Sequence, residues 1–159
     1  MQYKIVQSNR ILFAGIELRL NLTDEQAPQK IGNFWNKFFT EKILDKIVNA
    51  KKPINTMALY TNYDNQGNYS MVIGCQATSR SNIPSDMTSE INVYEIPAAK
   101  YAVFSVTGQF PQAVSDFWQK LWLNKDNLGF QRAFTTDFEL YDHRFSSATP
   151  EMDVYTAIK

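Results

Sequence analysis

The stretch "NFWNKFF" (Asn33–Phe39) is answered far down the chain by "DFWQKLW" (Asp116–Trp122). Each holds a Phe-Trp pair, a lysine two positions on, and two further large apolar groups. The chain has only 3 tryptophans, and two of them, Trp35 and Trp118, occupy this same place. Ile31, Phe34, Trp35 and Phe38 follow the i, i+3, i+4, i+7 spacing of one helix face, and Val114, Phe117, Trp118 and Leu121 repeat it. Phe39 and Trp122 extend the two stripes at matching positions. Helix starts are predicted near Thr23-Asp24-Glu25 and near Pro111, where a proline in the first turn is tolerated.

Strand patterns surround each helix in the same order. Upstream lie "ILFAGIELRL" (Ile11–Leu20) and "KYAVFSVTG" (Lys100–Gly108), both alternating and rich in branched residues. Downstream, the first half carries "TMALYTNY" and "YSMVIGCQA", joined by the turn Asp64-Asn65-Gln66-Gly67-Asn68. The second half carries "TDFELYD" and "MDVYTAIK" across a looser loop. A short extra strand is predicted ahead of each copy, at "YKIVQ" and "INVYEI". Neither half alone can cover its sheet. The expected fold is therefore α+β: duplicated βαββ halves sharing one curved antiparallel sheet, with two main helices and a pseudo-two-fold axis. Residues 1–159 form one domain, with half 1 at about 1–78, a polar connector at about 79–90, and half 2 at about 91–159.

Composition narrows the function. Hydrophobic residues at 44% against 20% charged describe a chain that buries a core, and the 14% aromatic share fills that core or lines a pocket. Sixteen basic and 16 acidic side chains cancel, and no long basic run offers phosphates a landing strip, so direct nucleic-acid binding is not expected. Lys42, Lys46, Lys51 and Lys52, interleaved with Glu41 and Asp45, read as a solvated helix face. One cysteine, Cys75, in a strand pattern, excludes an internal disulfide and reads as a buried thiol. One histidine, His143, cannot build a His-rich metal centre, so neither a metal nor a cofactor is expected. No apolar run approaches membrane-spanning length, and the expected location is the cytoplasm.

The duplication is broken at one position. Laying "MALYT" over "FELYD" sets Tyr60 on Tyr141 and Ala58 on Glu139, a carboxylate against a methyl group. Alternation puts Asp137, Glu139 and Tyr141 on one face of their strand, and Phe138 and Leu140 on the other. Periodicity does not say which face meets the helices. If the Glu139 face does, the charge must find a partner or take up a proton; otherwise Glu139 lies on a solvated strand face. For the repeated aromatic side chains, core packing is the plain reading.

The paired halves, the entry "YEIPAAKYAVFSVTG" and the ending "FELYDHRF…MDVYTAIK" resemble the GyrI-like effector-binding domain over nearly the whole chain. That domain is the ligand-sensing part of many AraC- and MerR-type bacterial regulators and also occurs alone. The strongest motif is Phe138, Glu139, Tyr141 and Asp142, supported by Ile96 to Tyr101. The resemblance implies an aromatic cleft between the two helices that takes lipophilic cations. Glu139 would lie at its floor, with Trp35, Phe38, Trp118 and Trp122 as walls and Tyr60, Tyr141 and Tyr94 supplying ring faces or hydroxyls. No helix-turn-helix pattern flanks the domain, so the expectation is a stand-alone sensor or regulatory accessory. Two alternatives remain open: a hydrolase of electrophilic small molecules, with Glu139 activating water and a tyrosine donating the proton, or a gyrase-inhibitor-type protein that binds a protein partner. A homodimer is compatible with either.

Overall fold

Backbone pairing puts the duplicated positions face to face. In the computed structural model, which describes residues 1–80 and 90–159, strands β3 (Thr56–Thr61) and β7 (Thr136–Tyr141) run antiparallel with Ala58 directly opposite Glu139. These two residues are also each other's counterparts in the repeat. The pseudo-two-fold axis therefore passes between them, at the centre of the molecule.

The rest of the sheet unfolds symmetrically from that axis. Its 8 strands lie in the order β1-β6-β8-β7-β3-β4-β2-β5, all pairs antiparallel. The remaining strands are β1 (Lys4–Ser8), β2 (Ile11–Asn21), β4 (Asn68–Ala77), β5 (Asn92–Ile96), β6 (Ala99–Thr107) and β8 (Glu151–Ala157). Read from either edge, the order is the same once each strand is replaced by its counterpart. One detail differs from the simplest duplication: the leading strands are exchanged. β1 borders the second half through β6, and β5 borders the first half through β2. The connector predicted at about 79–90 falls almost entirely outside the described residues.

The exchange dictates the curvature. Only Asn9 and Arg10 separate β1 from β2, yet six strand spacings lie between them in the sheet order. In a flat sheet that gap is about 29 Å, whereas three residues reach about 10 Å. The sheet must coil until its edges approach, and the same holds for β5 and β6. Its inner face closes on itself around Phe13, Met57, Leu59, Val72, Ile96, Tyr101, Val103 and Phe138, which come from strands at both ends of the order. The outer face, with Ala14, Ile16, Ala58, Met71, Ile73, Met152 and Val154, carries the helices. Strict alternation along each strand sorts these two sets.

The helices are α1 (Ala27–Thr40) and α2 (Gln112–Leu123). The first starts after Gln26, later than predicted, because Asp24 closes a turn instead: its Oδ1 accepts from the Gln26 backbone N–H, and its Oδ2 holds Lys30 at 2.6 Å. Phe34, Trp35 and Phe38 are buried on α1, and Val114 and Leu121 on α2. Phe39 and Trp122 do not continue the buried stripes, being 56% and 46% exposed. The lysine cluster after α1 is not a helix face either. Lys42 adopts a left-handed backbone, a short 3-10 turn covers Ile43–Lys46, and Lys51 and Lys52 lie in an irregular segment. Cys75 is fully buried, and burial raises its thiol pKa to about 11. Among the described residues no helix is long and apolar enough to cross a membrane.

At one place two strands approach too closely for side chains. Gly15 and Gly74 sit opposite each other on β2 and β4. A Cβ on Gly74 would run into the Ala14 carbonyl, and one on Gly15 into the Ile73 carbonyl. By contrast, nothing lies within 4 Å of a Cβ placed on Gly32 in α1. The same substitution should therefore have opposite signs at the two places. Gly74→Ala is expected to cost about 3 kcal/mol through forced strand separation, and Gly32→Ala to gain about 0.5–1 kcal/mol of helix propensity. Urea unfolding of the two variants checks this; equal effects would remove the proposed close approach.

Candidate ligand-binding site

Each helix leans its tryptophan onto the tyrosine of the other half. Trp35 of α1 stands edge-on to Tyr141 of β7 with ring centroids 5.6 Å apart, and Trp118 of α2 meets Tyr60 of β3 at 5.3 Å. Both tyrosines then turn their hydroxyls toward the axis. Tyr60 donates to Glu139 Oε1 at 2.7 Å, and Tyr141 donates to Oε2 at 2.6 Å. The pseudo-symmetry ends with the third donor. Trp118 Nε1 gives its proton to Oε1 at 2.7 Å, and Trp35 has no such bond.

Glu139 is thus 1% exposed, on the helix-bearing face, with three hydrogen bonds from uncharged groups. The face left open by periodicity is settled: this carboxylate lies beneath the aromatic helices. Burial raises its pKa above the ordinary glutamate value, and the Tyr141, Tyr60 and Trp118 hydrogen bonds oppose that rise by favouring the ionised form. The two tyrosines shift in the same direction. Burial first, then the neighbouring Glu139 charge, pushes both hydroxyls well above their usual range, so they remain donors.

Above this floor opens a cleft of about 1390 Å³. Trp35, Tyr60, Trp118, Trp122, Glu139 and Tyr141 all line it. Two of the predicted residues do not. Phe38 is 2% exposed and packs edge-on to Trp35, one helical turn beyond the last α1 residue that lines the cleft. Tyr94 belongs to β5, where it packs against the inner-face cluster and donates to Glu17 at 2.9 Å.

The wall also contains residues that periodicity did not single out. Tyr63, Tyr69, Phe110, Arg132 and Phe134 line it, together with the β3–β4 turn. That turn is closed by its own hydrogen bonds. Asp64 Oδ1 accepts from the backbone N–H groups of Gln66 and Asn68, and Gly67 takes a φ of 83° that other residues rarely adopt. Arg132 is set by a neighbour of Glu139: its Nη2 donates to Asp137 Oδ2 at 2.6 Å. Asp137, fully buried, also accepts from the Tyr63 hydroxyl and the Ala157 backbone N–H. Strand alternation drew attention to Asp137, but Arg132 comes from a segment without any period.

Charge is distributed unevenly in this cleft. Of its charged lining residues, Asp64 pairs with Arg19 at 3.4 Å and Arg132 pairs with Asp137. Among the described residues Glu139 has no cationic partner. The cleft is also lopsided about the axis. Phe110 fills the Trp35 side, edge-on to Trp35 at 5.1 Å, Tyr141 at 5.7 Å and Phe145 at 5.5 Å. Beyond that wall lies a smaller hollow of about 410 Å³. The counterpart of Phe110 in the repeat is Ala27, which packs against the core and does not line the cleft.

Comparison with known proteins places this architecture. Residues 4–158 match the family described as Cass2, integron-associated effector binding protein. YobU of Bacillus subtilis, named as a candidate transcriptional regulator, is 30% identical over 158 residues, covering 92% of this chain and 91% of its own. The integron cassette protein VCH_CASS2 from the mobile metagenome of Vibrio cholerae is 30% identical, with a TM-score of 0.73 over 99% of this chain and 95% of that one. The structure of SAV2435 bound to tetraphenylphosphonium has a TM-score of 0.78 at 21% identity, covering 100% of this chain and 94% of that one, a likeness of fold. With a family match running almost from end to end, the chain belongs to the Cass2 family of integron-associated effector-binding proteins.

Proposed function

We propose that this protein binds lipophilic organic cations in the cleft over Glu139, as a sensor or sequestering module. The observation that carries the proposal is the buried carboxylate whose hydrogen-bond partners are all uncharged. An unpaired buried charge is costly, and here the cost is arranged around an open aromatic cavity rather than a sealed core. A bound cation supplies the missing partner. At close range it gains about 4 kcal/mol of Coulomb attraction at an effective dielectric near 20, before desolvation is subtracted. Ring faces add about 0.5–2 kcal/mol per good contact.

The cleft volume of about 1390 Å³ exceeds the usual range for drug-sized ligands. Rings bury apolar area without demanding directional partners, which favours a broad range of bulky cations over one shape. The tetraphenylphosphonium held by SAV2435 is a ligand of that kind. Trp35, Trp118 and Trp122 serve as walls, and Tyr60 and Tyr141 hold the carboxylate in place.

Tetraphenylphosphonium and tetraphenylborate share a shape and differ in sign, so they make the decisive pair. The cation is expected to quench tryptophan fluorescence saturably and the anion is not. Glu139→Gln should weaken the cation by about 1.5–3 kcal/mol, roughly tenfold to a hundredfold. Equal binding of both ions, or an unchanged cation affinity in the variant, refutes the proposal.

A pH dependence follows from the same group. The protonated carboxyl offers no charge, so cation affinity should rise as pH climbs through the elevated Glu139 pKa. Tyr60 and Tyr141 stay protonated across that window. Stability moves oppositely in the free protein. The folded state binds the proton more tightly than the unfolded one, so this contribution is full below the ordinary glutamate pKa and is lost as pH rises through the elevated value. Denaturant unfolding across that range should show the decline in the wild type and its absence in Glu139→Gln.

A further inference from the structure

Arg132 lines the cleft alongside Glu139, and its side chain is only 9% exposed. A guanidinium carries donors on Nε, Nη1 and Nη2. Among the described residues only Nη2 has a partner, the Asp137 carboxylate. Nε is buried and has no hydrogen-bond partner among them. Leaving such a donor unsatisfied is costly, and the pairing with Asp137 does nothing for it. The side chain is nevertheless held firmly. Its guanidinium carbon lies 4.4 Å from the Phe134 ring centroid and 5.8 Å from that of Trp118. Trp118 is the same indole whose Nε1 donates to Glu139. One ring therefore separates a carboxylate lacking a cation from a guanidinium with donors to spare.

We infer that Arg132 forms a second polar subsite of the cleft, one that takes an anionic or strongly accepting oxygen group on the ligand. The ligands then preferred are amphoteric: a lipophilic cation placed over Glu139, with a carboxylate or similar acceptor about one ring's width away. This rests on the cation site proposed above and extends it. Arg suits the task because its planar fork can hold Asp137 and still present another donor edge. A lysine at the same place would spend its single charge centre on Asp137. The negative excess left by Glu139 works against any ligand carboxylate, so without such a subsite a zwitterion would be rejected.

Rhodamine B and its ethyl ester provide the matched probes: the acid is a zwitterion at neutral pH, and the ester carries the same cationic ring system without the carboxylate. Fluorescence anisotropy titrations are made on the wild-type protein, on Arg132→Lys, and on the double variant Arg132→Met with Asp137→Asn. The double variant removes the buried pair together, so a folding defect from an orphaned Asp137 cannot mimic the result. In the wild type the zwitterion should bind at least as tightly as the ester. Both variants should weaken the zwitterion about tenfold more than the ester, the scale of one charge-assisted hydrogen bond. An ester that binds about tenfold more tightly than the zwitterion in the wild type, or variants that move both dyes equally, overturns the subsite while leaving the cation site intact. Failure of both dyes to bind overturns the subsite and the cation site together.

Discussion

A single carboxylate on a two-fold axis organises this molecule. Duplicated folds place equivalent residues opposite one another wherever strands cross the axis, and here Ala58 and Glu139 are that pair. Two glutamates would set two buried like charges side by side, which raises the pKa of one and destabilises both. One glutamate against one alanine gives a single charge with room around it. Everything symmetric then converges on that charge: two tyrosines supply hydroxyls from either side, and two tryptophans buttress the tyrosines from either helix.

Departures from symmetry are concentrated where a ligand would be read. Trp118 adds a hydrogen bond that Trp35 does not make. Phe110 packs edge-on to Trp35 at the position where the first half has Ala27, while Trp118, Tyr60 and the β3–β4 turn line the cleft. Arg132, Tyr63 and Asp137 form a polar cluster on that open side. The repeat survives at the cavity in the Trp35–Tyr141 and Trp118–Tyr60 pairs and is broken by the groups around them.

Much of this was legible in the residues. The doubled Phe-Trp stripes located both helices, alternation located the strands, and aligning the two tyrosines exposed the substitution at Glu139. What escaped did so for physical reasons. Phe38 and Trp35 share one helix face, and spacing does not say how deep along it the cleft begins. Tyr94 has a suitable side chain, but its strand pairs with β2 and packs against the inner-face cluster, a consequence of a strand exchange that local pattern does not encode. Arg132 lies in an irregular segment, so only tertiary structure brings it to the cavity. The start of α1 shifted because Asp24 was better employed in a turn.

The exchanged edge strands also carry a kinetic consequence. β1 precedes its partner β6 by about a hundred residues, with Lys4 registered against Val103. The first half likewise emerges with one side of β2 bare until β5 arrives. Contacts so distant in sequence are slow to close, and a bare strand edge in the interim invites pairing with another chain. Each half therefore completes its edge only with a strand that the other half supplies.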